Sequence, residues 1–178
     1  VMVYSFYLNR IDKYNYWYAI LTAYRKKHID QLSRVNKMID FTYYYNARIN
    51  HIILNNKYSQ LSKVVDEIKK GELYYGNQLD KHRYYRFYYK IASMYSYIGN
   101  YDKAIDYCNS IIIESSTYLK KDIGPYSRLL HIMCHFRMNN FRLVENMIDS
   151  IRSEFTIQNQ NNLVIELMLN FLKKASRA

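Results

Sequence analysis

The sequence predicts an all-α fold, and three observations carry that expectation. Nearly half of the 178 residues are apolar, 49%, while only four are glycine and one is proline, a composition that fits helices. The glycines, at 71, 76, 99 and 124, each fall between segments of helical period, and Pro125 follows the last of them, where a helix's first turn tolerates proline. The third observation is the stretch at 88–104, where aromatic, aliphatic and small residues recur at helical spacing on either side of Gly99.

The elements follow in order from periodicity and punctuation. Helical segments at 12–27 and 28–39 meet at Lys26-Lys27-His28. A third, at 42–55, ends at Asn55-Asn56-Lys57, and a fourth, at 58–70, ends on Lys69-Lys70 before Gly71. Cations interact favourably with a helix C-terminus and solvate the turn that follows it. The segment at 81–98 stops at Gly99, and that at 101–116 is followed by Lys120-Lys121. Pro125 opens a helix at 125–138, Met138-Asn139-Asn140 closes it, and helices at 141–155 and 163–175 complete the chain, the last ending on Lys173-Lys174.

Within the best-spaced stretch, Tyr88, Ile91, Ala92 and Tyr95 are followed by Gly99 at a turn, Ala104 five residues on, and apolar positions at Cys108 and Ile111, with Ser116 where a closing proline would stand. This pattern resembles the tetratricopeptide repeat (TPR) over almost a full unit. A single such hairpin cannot bury its apolar face, so further copies are required. Aligned on Tyr101, they are found at Phe141, at Tyr58 and, more faintly, at His28. The spacings are irregular, roughly 30, 43 and 40 residues against about 34 for the ideal unit. Ala19 keeps a small-residue position in the first copy, whereas Ile49 and Ile132 replace it in the second and fourth. The resemblance implies an α-α superhelix, a TPR-like solenoid of about four helical hairpins plus a C-terminal helix, forming one domain over 1–178. The order of hairpins also resembles the C-terminal region of long bacterial TPR-like proteins, a likeness that carries no activity.

Two cysteines, Cys108 and Cys134, are too few for a disulfide framework and read as buried free thiols in a reducing compartment. The longest uncharged run, 14–24, is shorter than the ~20 apolar residues that span a bilayer, and no secretory leader pattern appears. A soluble, cytoplasmic protein with no membrane partner is expected. The start at Val1 suggests a piece of something longer. A net charge of +11 raises the possibility of nucleic-acid, acidic or membrane partners, although the paired lysines read as solvated helix ends.

Candidate chemistry is sparse. His131 and His135, four apart on one helix beside Cys134, have the spacing to share a metal. No third ligand or base is placed beside them, and the repeat register makes them packing residues, so no metal or cofactor is expected. Phosphate-loop, serine-nucleophile and isolated carboxylate-pair motifs are all missing from the sequence, which is read as non-enzymatic.

The basic-aromatic segment at 81–90 is the strongest candidate binding surface. The family's groove positions, carried over copy by copy, are Lys13, Tyr16, Ile20 and Tyr24, then Tyr43, Asn46, Asn50 and Ile53. Arg86, Tyr89, Ser93, Ser96 and Tyr97 follow in the third copy, and Tyr126, Leu129, Met133, Phe136 and Arg137 in the fourth. Asn46, Asn50, Arg86 and Lys90 resemble the clamp by which some TPR domains hold a C-terminal carboxylate, although Asn46 stands where that clamp has lysine. Three functions follow from these residues and the resemblance. One is a scaffold binding a peptide or helix of another protein. The second is RNA or single-stranded nucleic-acid binding, with tyrosines stacking bases. The third is the ligand-sensing half of a bacterial regulator.

Overall fold

The computed structural model describes residues 1–113, 123–157 and 163–177, with side chains at all of these except 153–157. Nine α-helices and no strand occur among the described residues. They are α1 (Met2–Tyr7), α2 (Ile11–His28), α3 (Arg34–Leu54), α4 (Leu61–Tyr75), α5 (Lys81–Tyr97), α6 (Tyr101–Ile113), α7 (Gly124–Arg137), α8 (Phe141–Ile157) and α9 (Leu163–Ala175). Backbone proximity divides the chain into two compact units, Val1–Phe87 and Tyr88–Ala178, with the boundary inside α5. Ser116 and Lys120-Lys121 lie outside the described residues.

One turn recurs along the chain. Asn9, Asn56, Gly99 and Asn139 take φ of 50°, 52°, 81° and 62°, the left-handed region that asparagine and glycine enter most readily. In each case the next amide donates to the carbonyl five residues back: Arg10 to Ser5 (2.8 Å), Lys57 to Ile52 (3.0 Å), Asn100 to Tyr95 (2.9 Å) and Asn140 to His135 (3.0 Å). This Schellman geometry satisfies carbonyls that a helix end would otherwise leave open. The next helical turn then begins at Ile11, Tyr58, Tyr101 and Phe141. The turns therefore join α1 to α2, α3 to α4, α5 to α6 and α7 to α8.

This corrects the expected register at the N-terminus. The turn that precedes Tyr101 recurs before Ile11, not at His28, and α2 follows α1 across it. His28 ends α2 by running into a 3-10 turn, Ile29–Gln31. Ser33 then caps α3, its Oγ accepting from the Asn36 amide at 3.3 Å. No glycine or proline follows until Gly71, so the separate segments expected at 28–39 and 42–55 give way to one helix, Arg34–Leu54.

In the first unit, α2 and α3 are joined by polar contacts and by stacking of Tyr18 on Tyr44 and His51. Tyr14, 1% exposed, donates its hydroxyl to the Ala47 carbonyl at 2.9 Å. The Asn15 and Asn55 side-chain amides bond each other in both directions at 2.9 Å. Arg25 pairs with Asp40 at 2.6 Å and lies 4.2 Å over the Tyr44 ring. From α4, Glu67 accepts from Tyr45 (2.9 Å) and from Arg48. Burial pushes the Tyr14, Tyr18 and Tyr45 hydroxyls far up, so they stay neutral. The apolar part of this core includes Phe41, Ile49, Ile52, Leu61, Val64 and Ile68.

Gly71 does not end α4, which continues to Tyr75, and Lys69-Lys70 consequently lie within the helix. A Cβ built on Gly71 would sit 2.9 Å from Phe41 Cδ2 and closer still to Cε2 and Cζ. Glycine is there so that the ring can lie against the helix backbone. Gly76, at φ 53°, is the residue that terminates the helix.

In the second unit, α6 packs most closely on α7. Ala104, Cys108, Ser127 and Cys134 are all fully buried, and small side chains permit a close approach of helices. Both cysteines are free. Burial first, and Cys134 second, push the Cys108 thiol up, so it stays protonated. Helix α9 closes this unit by adding Ile165, Leu169 and Leu172 to a core containing Ile132, Val144 and Ile148. Among the described residues, no helix is long and apolar enough to cross a membrane.

Candidate functional site

Helix α3 presents an exposed stripe at Val35, Ile39 and Tyr43, 60%, 46% and 56% exposed, at four-residue spacing along one face. Asp80 starts α5 by accepting from the amides of His82 (3.0 Å) and Arg83 (3.5 Å), which fixes the phase of that helix. Phe87, 3% exposed, lies at the end of its second turn. Arg83 and Arg86, one turn apart, then share a face.

These two helices enclose an open cavity of ≈280 Å³, lined by Thr42, Tyr43 and Asn46 from α3 and by Arg83, Arg86 and Phe87 from α5. The Arg83 guanidinium stands 5.1 Å over the Tyr43 ring and 3.5 Å from an Asp80 carboxylate oxygen. It is thereby held toward the cavity by a cation–π contact and a surface ion pair, each individually weak. A smaller cavity of ≈160 Å³ lies at the end of α4, among Glu72, Asn77, Lys81 and Tyr84.

The residues proposed from sequence divide into groups. Asn46 and Arg86 line the same cavity. Asn50 does not line an open surface: it is 6% exposed and its side chain bonds Tyr14, because α2 covers that face of α3. In the second unit, Tyr89 is half-buried beside Ser93, Cys108 and Tyr126, and burial pushes its hydroxyl up. Ser93 donates to its own helix, to the Tyr89 carbonyl at 2.9 Å. Lys90 is half-buried, and Tyr97 is 72% exposed at the end of α5. Arg137 is at the end of α7, donating to the Tyr101 hydroxyl at 3.1 Å. Leu129 belongs to the α7–α9 core, with Met133 and Phe136 packed against it, so these three groove positions are structural. Lys13, Tyr16, Ile20 and Tyr24 are exposed, but on the second helix of the first pair.

Arg83 and Thr42 were not selected by the repeat register. The signal for Arg83 was available, since it stands one helical turn before Arg86 in the basic-aromatic segment. His131 and His135 meet edge to face with ring centroids 4.8 Å apart. Burial, and then the neighbouring His135, push His131 down to about 4. No group of three or more His, Cys, Asp or Glu placed to hold a metal occurs among the described residues. No protein-family model, curated protein or solved structure matches this chain.

Proposed function

We propose that this protein is a non-catalytic interaction scaffold, a TPR-like stack of helical hairpins that binds a peptide segment of another protein. The observation carrying the reading is the α3–α5 cavity, where two arginines, an asparagine and a tyrosine converge beside an exposed apolar stripe. Such a combination suits an extended peptide, since rigid aromatic and arginine side chains contribute most of the energy at peptide and protein interfaces. The recurrence of one Schellman turn at four places supports the repeat architecture. The test is capture from the source cell by the wild-type chain and by an Arg86→Ala/Tyr43→Ala variant, with nuclease treatment of the captured material. Protein that survives nuclease and is lost in the variant supports the scaffold. Equal capture by both chains sinks this site.

The net charge of +11 favours a second reading, in which the same arginines hold the backbone of single-stranded RNA. Salt separates the two. RNA binding through several phosphates falls steeply and linearly on a log–log plot against salt, whereas a peptide held by two arginines shows a shallow slope.

A further inference from the structure

We propose that the α3–α5 cavity receives a phosphomonoester side chain carried by an extended peptide, while the Val35, Ile39 and Tyr43 stripe takes apolar residues of the same peptide. The inference rests on the peptide-binding reading and specifies its ligand.

Charge and donor number point to phosphate. Arg83 and Arg86, one helical turn apart, line a cavity shared with Asn46 and Tyr43, while the Thr42 hydroxyl at its wall donates to the Met38 carbonyl at 3.1 Å. A carboxylate brings one negative charge and two oxygens, which a single arginine can satisfy with two parallel bonds. A phosphomonoester brings a charge of about −2 near neutral pH and three strong acceptor oxygens, which call for two guanidinium groups. The volume of ≈280 Å³ admits the group with part of its side chain. Arg83 is already oriented by Tyr43 and Asp80, so less freedom is lost when an anion binds.

The stripe fixes the remainder of the ligand. From Val35 to Tyr43 the helix rises about 12 Å, at ~1.5 Å per residue. An extended peptide covers that length in about four residues, at ~3.3 Å each. Side chains alternate along such a peptide, so apolar residues about two and four positions from the phosphorylated one fall on one side, over Ile39 and Val35.

The experiment is fluorescence anisotropy with labelled peptides carrying one phosphoserine and leucines two and four residues away, on either side. Twins with unmodified serine and with glutamate are compared, and inorganic phosphate is added as a competitor. We expect the phosphopeptide to bind at least about tenfold more tightly than the serine twin, and more tightly than the glutamate twin. That advantage should vanish in Arg83→Gln/Arg86→Gln, while Ile39→Asp weakens all peptides that bind. Equal binding of phosphorylated and unmodified peptides, or an advantage that survives loss of both arginines, overturns the proposal. So does absence of binding by every peptide, or inorganic phosphate competing as well as the phosphopeptide does. Tight binding of the serine twin that Ile39→Asp abolishes would remove the phosphate assignment and leave the peptide-binding reading standing.

Discussion

Gly71 and His131 are single residues whose neighbours decide what they do. Alanine is a better helix former than glycine by about 1 kcal/mol, so Gly71→Ala would stabilise α4 if only the helix mattered. The Phe41 ring occupies the space of the new methyl group, and Phe41 is itself 5% exposed and packed beside Tyr45 and Tyr75. Overpacking of that kind costs about 1–3 kcal/mol, and the clash wins. Urea denaturation should show Gly71→Ala destabilised, with the midpoint recovered on adding Phe41→Leu. A stabilised single mutant would mean that the ring moves aside freely. His131 offers a pH test. Its folded pKa, about 4, lies below its unfolded value, so the unfolded chain takes up the proton first as pH falls. Its contribution to stability is complete above about pH 6.5 and declines from there toward pH 4. The full linkage slope is about 1.4 kcal/mol per pH unit, and partial exposure of the ring should reduce it by about half. The Tm difference between wild type and His131→Gln should therefore change between pH 7.5 and pH 5.0, wild type losing more. A pH-independent difference would show that the ring titrates alike in the folded and unfolded chains, as a solvated imidazole does.

At the scale of elements, the left-handed turns determine where the second helix of each pair begins. At Asn139, with φ 62°, a β-branched residue is strained by about 1–2 kcal/mol, whereas glycine is not. Asn139→Val should lower the urea midpoint, and Asn139→Gly should leave it unchanged or raise it. Equal effects of the two would mean that the Asn140-to-His135 bond, not backbone conformation, controls the turn. These turns also explain what was legible in the sequence. Gly99 announces its turn because glycine is common there, and Ile91, Ala92, Ala104, Cys108 and Ile111 around it are buried as the repeat pattern implies. Asn9 and Asn56 are weaker signals, since asparagine also serves as a cap or an ordinary surface residue. Missing Asn9 shifted the first pair and hid the short helix Met2–Tyr7. Gly71 misled in the opposite direction, because sequence alone cannot distinguish a glycine that ends a helix from one that admits a ring. The cavity was half legible: Asn46 and Arg86 came from repeat register, whereas Arg83 depended on the phase that Asp80 gives α5.

For the whole molecule the governing quantity is the +11 charge. Several of its described ion pairs are short, including Arg25–Asp40 and Lys173–Asp149 at 2.6 Å and Arg177–Glu145 at 2.8 Å. Such pairs lie far inside the Debye length of about 8 Å at 0.15 M salt, so moderate salt screens them little. Repulsion among the excess cations acts over longer distances and is screened strongly. Raising sodium chloride from about 0.01 to 0.15 M, which shortens the Debye length from ~30 to ~8 Å, should therefore stabilise the fold. A gain of about 1 kcal/mol corresponds to roughly 2–4 °C in Tm for a chain of this size. Thermal unfolding monitored by circular dichroism checks this, and a falling Tm would mean that the ion pairs outweigh the repulsion. The Arg83→Gln/Arg86→Gln variant sharpens the measurement, because it removes two positive charges at the place where we assign a ligand. If those arginines act only through bulk charge, the variant should be more stable than wild type at low salt and similar to it at 0.15 M. Preferential stabilisation of wild type by phosphate over chloride at matched ionic strength, lost in the variant, would instead report specific anion binding at the α3–α5 cavity.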